Sequence, residues 1–269
     1  MSAPNPEPDR PTTPLHADAP TTRFSDRADD YAKHRPSYPP EAIQAILSGL
    51  GPPIALTAAD IGAGTGISSV LLADRGVRVF AVEPNAEMRA AATPHPNVEY
   101  RDGVAEHTRL PGAMFDLILC AQAFHWFDHG RALREFRRIL RARGRIALIW
   151  NNRDETDPFT RIYGAAVAQA SSGHPAAARV LDPGPAFEAA GFPTPRLCKC
   201  PSVQSLDFAG LLGRALSASY VPRSGPGLDR LRTDLRSAFD HFADPNGHVS
   251  IRYSTDVYLA DCSTPPALR

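Results

Sequence analysis

Lysine is almost missing from this chain: Lys33 and Lys199 are the only two, and arginine supplies the rest of the 29 basic residues. With 27 prolines besides, that bias reads as the usage of a GC-rich bacterial genome rather than as function. An excess charge of either sign is missing too, since 29 acidic residues balance the basic ones and the isoelectric point is near 7.1. Nucleic-acid binding draws most of its affinity from phosphate neutralisation, so no nucleic-acid partner is expected. No stretch approaches the roughly 18 consecutive apolar residues of a membrane span, and no membrane partner is expected. The first residues carry acids and no basic patch ahead of an apolar run, which excludes a secretory signal and argues against a transit peptide. Cysteine is scarce. Cys120, Cys198, Cys200 and Cys262 stand in no metal-ligand spacing, so no metal is expected and the thiols read as those of a reduced, cytoplasmic compartment. Cys198 and Cys200, two apart, would share one face of a strand.

What remains is a composition able to bury a sizeable core, 43% apolar and 22% charged, over a length that suits one α/β domain with an elaborated cap. Residues 1–23 hold six prolines and no periodicity and read as a disordered tail; residues 24–269 read as a single domain. Ile43, Ile46, Leu47 and Leu50 follow helical spacing over 39–50. Short apolar runs at 56–61, 77–82, 97–100, 115–121 and 146–150 then alternate with helical segments near 66–75, 85–92 and 128–140. In the last of these, Leu133, Phe136 and Leu140 form the buried stripe. Strand and helix in alternation mean βαβ units and a mostly parallel sheet. Beyond Asn152 the spacing predicts helices near 157–170 and 185–190, a strand at 196–206, helices at 207–219 and 227–243, and a last strand at 249–260. These late helices, within about 153–195 and 207–245, suggest a cap over the carboxyl edge of a seven-stranded sheet.

The chemistry concentrates at Asp60-Ile61-Gly62-Ala63-Gly64-Thr65-Gly66, which closes the first strand and opens a helix. Glycines there let backbone approach a ligand, and open α/β sheets bind ligands outside the carboxyl ends of their strands. Glu83 ends the second strand, about twenty residues past the glycines, where a carboxylate suits ribose hydroxyls. Together they point to an adenosine-containing ligand. The spacing is G-x-G-x-G with Ile67 following, not the G-x-G-x-x-G of dinucleotide sites, and no phosphate loop is present.

Asp-Ile-Gly-Ala-Gly-Thr-Gly resembles motif I of the class I S-adenosylmethionine-dependent methyltransferases, and the likeness implies a Rossmann-like fold. Asp102-Gly103-Val104-Ala105-Glu106, Leu110-Pro111 and Phe115-Asp116 match the family stretch leading into the fourth strand. Ala121-Gln122-Ala123-Phe124-His125-Trp126-Phe127 is similar to a subgroup that includes trans-aconitate methyltransferases, as are residues 24–39 and Ser217-Ala218-Ser219-Tyr220-Val221-Pro222. The resemblance implies S-adenosylmethionine as cofactor, held by Arg35, Asp60, Gly62, Gly64, Gly66, Glu83, Val104, Ala105 and Ala121, with Glu83 on the ribose and the backbone of Val104 and Ala105 at the adenine edge. Tyr31, Gln122, Trp126, Ser219 and Tyr220 become candidates for the substrate pocket.

Each candidate has a plainer reading. Arg35, whose planar fork suits a carboxylate, can equally be a surface residue beside a proline turn. His125 is the candidate general base, and also reads as a packed histidine that orients its loop. Seven arginines between Arg131 and Arg145 could face RNA, but most fall away from the apolar stripe, as a solvated face does. The expectation is methyl transfer to a small molecule, a carboxylate oxygen being favoured, by a monomer or homodimer. A natural-product O- or N-methyltransferase acting on a phenol or amine is the alternative. Outside the class stand a nicotinamide oxidoreductase and a non-catalytic cofactor-binding protein.

Overall fold

The computed structural model describes residues 33–171, 182–218 and 220–262. The expected disordered tail, Tyr31 and Ser219 lie outside the described residues. Seven strands form one sheet: β1 Thr57–Ile61, β2 Arg78–Val82, β3 Val98–Arg101, β4 Phe115–Ala121, β5 Leu140–Arg153, β6 Arg196–Leu206 and β7 Val249–Asp261, in the order β3-β2-β1-β4-β5-β7-β6. The first five are parallel, and β7 runs antiparallel between β5 and β6. The chain moves outward one way from β1 to β3 and then returns to the other side of β1. The reversal opens a crevice at the carboxyl ends of β1 and β4.

Helices α1 Pro40–Leu47, α2 Ile67–Ala73, α3 Ala86–Ala90 and α4 His129–Ile139 link the parallel strands. Their local signals are conventional: Pro40 occupies the first turn of α1, and Asp128 caps α4 by accepting from the Arg131 amide at 3.0 Å. One sheet face packs on α4, through Leu133, Phe136 and Ile139 against Ile118, Ile146 and Leu148. The other packs on α1 and α2, where Ile43, Ile46 and Leu72 meet Leu117, Leu119 and Ile149.

The cap comprises α5 Pro158–Ala170, α6 Gly184–Ala189, α7 Phe208–Leu216 and α8 Pro226–Phe242. Because β7 runs antiparallel, its first residues project past the carboxyl ends of the parallel strands. There Val249, Ile251 and Tyr253 share a third core with Phe159 and Tyr163 of α5, Leu211 of α7, and Leu231 and Leu235 of α8. The cap therefore grows from the edge where the crevice opens.

One strand differs from expectation. β5 runs over 14 residues rather than 146–150, and Leu140 begins it instead of ending the helical stripe. The stretch Arg141 to Gly144 is charged or small and carries no apolar alternation. Its pairing shows in the structure as a register shift, Phe115 meeting Leu140 and Leu117 meeting Arg145. The arginine-rich segment is largely committed to the fold. Arg141 binds Asp116 at 2.7 Å, and Arg138 binds Glu135 at 2.7 Å. Arg137 donates to the Ala190 carbonyl at 2.5 Å.

Arg145, 5% exposed, donates from Nη1 to the carbonyls of Ile46 and Ser48, both at 2.8 Å, and from Nε to Asp261 at 2.5 Å. It thus closes the carboxyl end of α1. Arg145→Met is expected to leave those carbonyls unsatisfied and lower stability by about 2–3 kcal/mol, read by chemical denaturation. A loss under about 0.5 kcal/mol would show that water replaces the guanidinium.

Candidate functional site

After Ile61 the chain turns through the glycine loop into α2 with positive φ at Gly62 (71°), Gly64 (57°) and Gly66 (84°). Side chains disfavour that region, and two of the positions also lack room. A Cβ on Gly62 would stand 2.7 Å from the Ala123 Cβ, and one on Gly66 would run into the Tyr100 hydroxyl.

Glu83 follows β2 directly and is 8% exposed. Its Oε2 accepts from the Gly64 amide at 2.9 Å and its Oε1 from the Asn85 amide at 2.9 Å. The carboxylate therefore ties the glycine loop to the turn before α3. Burial pushes its pKa upward, the Asn85 and Gly64 amides and the Arg89 guanidinium pull it back, and Asp60 pushes it up again. Arg89 also donates to the Glu83 carbonyl at 2.6 Å.

Asp60 has a different job from the one expected of it. It is fully buried behind the loop, where its Oδ2 accepts from the hydroxyls of Ser68 at 2.6 Å and Ser69 at 2.7 Å. It fixes the start of α2 and is not on the wall of the cavity. Burial raises its pKa to about 6 against the pull of the two serines.

In front of the loop opens a cavity of about 560 Å³, within the ordinary range for a small-molecule site. Of the expected cofactor residues, Gly62, Gly64, Glu83, Val104, Ala105 and Ala121 line it, together with the expected substrate residues Gln122 and Trp126. Gly66 stands behind as the cap of α2. Arg35 points elsewhere, donating from Nη2 to the Ser217 carbonyl at 3.3 Å, and Tyr220 packs against the cap core. His125 sits beside the cavity: its Nδ1 accepts from Trp150 Nε1 at 3.3 Å, and its ring lies 5.0 Å from that of Trp126. Gln122 holds φ 56°, and its amide donates to the Ile149 carbonyl at 2.9 Å, fastening the turn after β4 to β5.

Sequence reasoning missed Pro84, Met88, Glu106, Phe127, Asp128 and Arg131, all on the wall. Arg131 had looked like one more solvated arginine. Signals for the others existed. Asn85 is a helix cap, accepting from the Met88 amide at 2.9 Å, and so sets where α3 turns Met88 inward. Glu106 accepts from the Asp128 amide at 2.8 Å, which joins the two loops that frame the cavity.

The methyltransferase-domain family model matches residues 59–148, from β1 through most of β5. An uncharacterized methyltransferase of Mycobacterium tuberculosis is 40% identical over 166 residues, which cover 60% of this chain and 65% of that one. The match thus spans just under two thirds of the mycobacterial relative. An uncharacterized methyltransferase of Schizosaccharomyces pombe is 35% identical over 132 residues, 48% of this chain and 53% of its own. Among solved structures, a provisionally assigned methyltransferase from an antibiotic biosynthesis pathway of Anabaena variabilis is 25% identical, with a TM-score of 0.58, over 85% of this chain and 99% of that one. Residues 59–148 are thus similar to a methyltransferase domain, and the sheet around them has the class I methyltransferase fold.

The raised pKa of Asp60 has a definite sign. A carboxyl that titrates near 6 when folded, against 3.8 in a model peptide, contributes stability that is complete below about pH 3.8 and lost as pH rises through about 6. Asp60→Asn keeps an acceptor for the serines without the charge. Its stability relative to wild type is expected to rise by up to about 3 kcal/mol between pH 4 and pH 7, measured by urea unfolding at each pH. A difference that stays flat across that range would show that Asp60 is not a buried, shifted acid.

Proposed function

We propose that this chain is an S-adenosylmethionine-dependent methyltransferase of the cytoplasm that acts on a small molecule. The observation that carries the reading is Glu83, whose carboxylate ties Gly64 to Asn85 on a cavity that Val104, Ala105, Met88 and Phe127 also line. A carboxylate for a sugar and apolar side chains for a base fit an adenosyl group. Glu83, Gly62 and Gly64 would hold the cofactor's ribose and amino-acid portion, and Val104 and Ala105 its base. When bound, that cofactor supplies a methyl group on a sulfonium, which is already electrophilic. The protein's task is then alignment and exclusion of water, and orientation alone can supply on the order of 7–11 kcal/mol.

The acceptor atom we favour is a carboxylate oxygen, and the argument rests on His125. A tryptophan ring nitrogen can only donate, so Trp150 Nε1 occupies the His125 Nδ1 lone pair and the imidazole proton sits on Nε2. In that tautomer the ring has no second lone pair with which to take a proton. A carboxylate is ionised at neutral pH and needs no base, whereas a phenol or amine would have to lose its proton. The natural-product alternative, suggested by the biosynthetic setting of the Anabaena structure, needs such a base. A small acceptor suits the arginines of 131–145 better than RNA does, since several of them are bound to protein partners.

Calorimetric titration of S-adenosylhomocysteine is expected to show micromolar binding, weakened tenfold or more by Glu83→Ala, a change of about 1.4 kcal/mol. Binding of NAD in place of S-adenosylhomocysteine would sink the reading. In a second assay, labelled methyl transfer into a pool of small carboxylic acids, His125→Gln is expected to retain the rate within about tenfold. A loss of about 100-fold or more would restore the histidine as a base and with it the phenol or amine acceptor.

A further inference from the structure

Three residues other than glycine hold positive φ among the described residues: Arg109 at 59°, Ala113 at 49° and Gln122 at 56°. Arg109 and Ala113 are exposed and stand outside helix and strand. Gln122 lies between β4 and the single turn Phe124–Trp126, on the wall of the cavity. A side chain in the left-handed region crowds the backbone, and glutamine lacks the short polar group with which asparagine eases that conformation. Such strain persists only where the surroundings impose it.

Here the surroundings act from two sides. The Gln122 amide donates to the Ile149 carbonyl at 2.9 Å, which pins the turn to β5. Ala123 packs on the glycine loop so closely that a Cβ on Gly62 would stand 2.7 Å from its methyl group. The backbone therefore sets the conformation, and glycine would meet it without strain. What glycine would lack is the carboxamide. Gln122 lines the cavity beside Ala121, Ala123, Trp126 and Phe127, and its carboxamide makes no hydrogen bond among the described residues. Contact of this turn with the glycine loop also puts Gln122 where cofactor and acceptor would meet.

The other polar side chains on the wall narrow what the carboxamide can bind. Glu83, Glu106 and Asp128 are acids, and the one cation, Arg131, is exposed in the first turn of α4. An anion beside β4 therefore finds no cation on that part of the wall and needs a neutral donor. Of those, the Trp126 indole has one N–H and the Gln122 carboxamide two.

We propose that Gln122 orients the acceptor: its Nε2 donates to one oxygen of the acceptor carboxylate and leaves the other facing the methyl carbon. The facing oxygen forms the bond to that carbon as the carbon–sulfur bond breaks, the electron pair of that bond stays on sulfur, and no proton moves. Sulfonium and carboxylate become thioether and methyl ester. This assignment deepens the methyltransferase reading and rests on it.

The test uses the full chain, S-adenosylmethionine labelled in its methyl group, and a pool of acetate, benzoate, succinate and citrate. Label released as methanol by mild alkali marks an ester, whereas an ether or amine keeps it. Wild type is expected to give alkali-labile label. Gln122→Glu has the same shape but, once ionised, repels a carboxylate and cannot donate. It should cut kcat/KM by about 30-fold or more, with S-adenosylhomocysteine affinity unchanged within about threefold. Gln122→Gly should cut kcat/KM by about as much and melt no lower than wild type, because the strain leaves with the side chain.

The proposal is overturned if either variant transfers methyl at the wild-type rate, or if alkali leaves the label in place. It is also overturned if wild type binds S-adenosylhomocysteine but methylates none of the acids. A Gln122→Gly protein that melts lower than wild type would make the side chain structural. A loss of S-adenosylhomocysteine affinity beyond about tenfold in Gln122→Glu would place the carboxamide on the cofactor instead, and either result ends the assignment. If wild type binds no S-adenosylhomocysteine, the methyltransferase reading itself falls.

Discussion

Two buried carboxylates under one glycine loop set the terms for the rest of this structure. Three glycines at positive φ make the turn after β1 possible, but glycine has more conformational freedom to lose than any other residue. A loop built from it needs external restraint. Asp60 supplies that restraint from behind by holding the hydroxyls of Ser68 and Ser69, and Glu83 supplies it from the side by accepting the Gly64 amide. Asp60 sits on β1 and Glu83 directly after the neighbouring β2, and each is pushed toward its neutral form by burial. Their mutual repulsion is offset in part because each accepts from amides or hydroxyls, Asp60 through Oδ2 alone, and because Arg89 lies beside Glu83.

The same logic explains where the arginines went. With lysine nearly absent, guanidinium groups do the fastening, and their several donors let one side chain satisfy several acceptors. Glu135 shows the strength of such a network. Burial alone would raise its pKa, yet the bonds from Arg138 and Thr108 outweigh burial and hold it at about 2. Its Oε1 accepts from both the amide of Thr108, at 2.9 Å, and its hydroxyl, at 2.5 Å. That fixes the loop carrying Val104 and Ala105 against α4, so one wall of the cavity is positioned by an ion pair outside it.

The order and type of the elements were legible in the sequence because periodicity and short turns agree at almost every boundary, from Pro40 at the start of α1 to the alternation along β7. The glycine loop and Glu83 were legible because only a few geometries need that spacing. Other parts were hidden for physical reasons. The beginning of β5 has no apolar alternation, since its residues bind across to Asp116 and α1 rather than into a core. Asp60 looks in sequence like a ligand contact, and only three dimensions reveal that it faces α2. Arg131 and Arg214 illustrate the general difficulty. A helix's period tells which side of it is apolar, but it cannot tell that a charge on one helix meets a cavity wall while a charge on another meets tyrosines.

The charges also bear on which reaction this cavity would favour. On the proposed reading the two reactants carry opposite charges, a sulfonium and a carboxylate, and both charges vanish on methyl transfer. A reaction that destroys charge runs better in a low dielectric than in water, because less hydration is lost on the way to the transition state. Ala121, Ala123, Trp126 and Phe127 supply apolar wall after β4, beside the polar Gln122 and Asp128. Glu83, beside the glycine loop and on the cavity wall, would favour the positive partner. On that reading the protein has only to align the two reactants and need not remove a proton, which suits a carboxylate acceptor better than a phenol or amine.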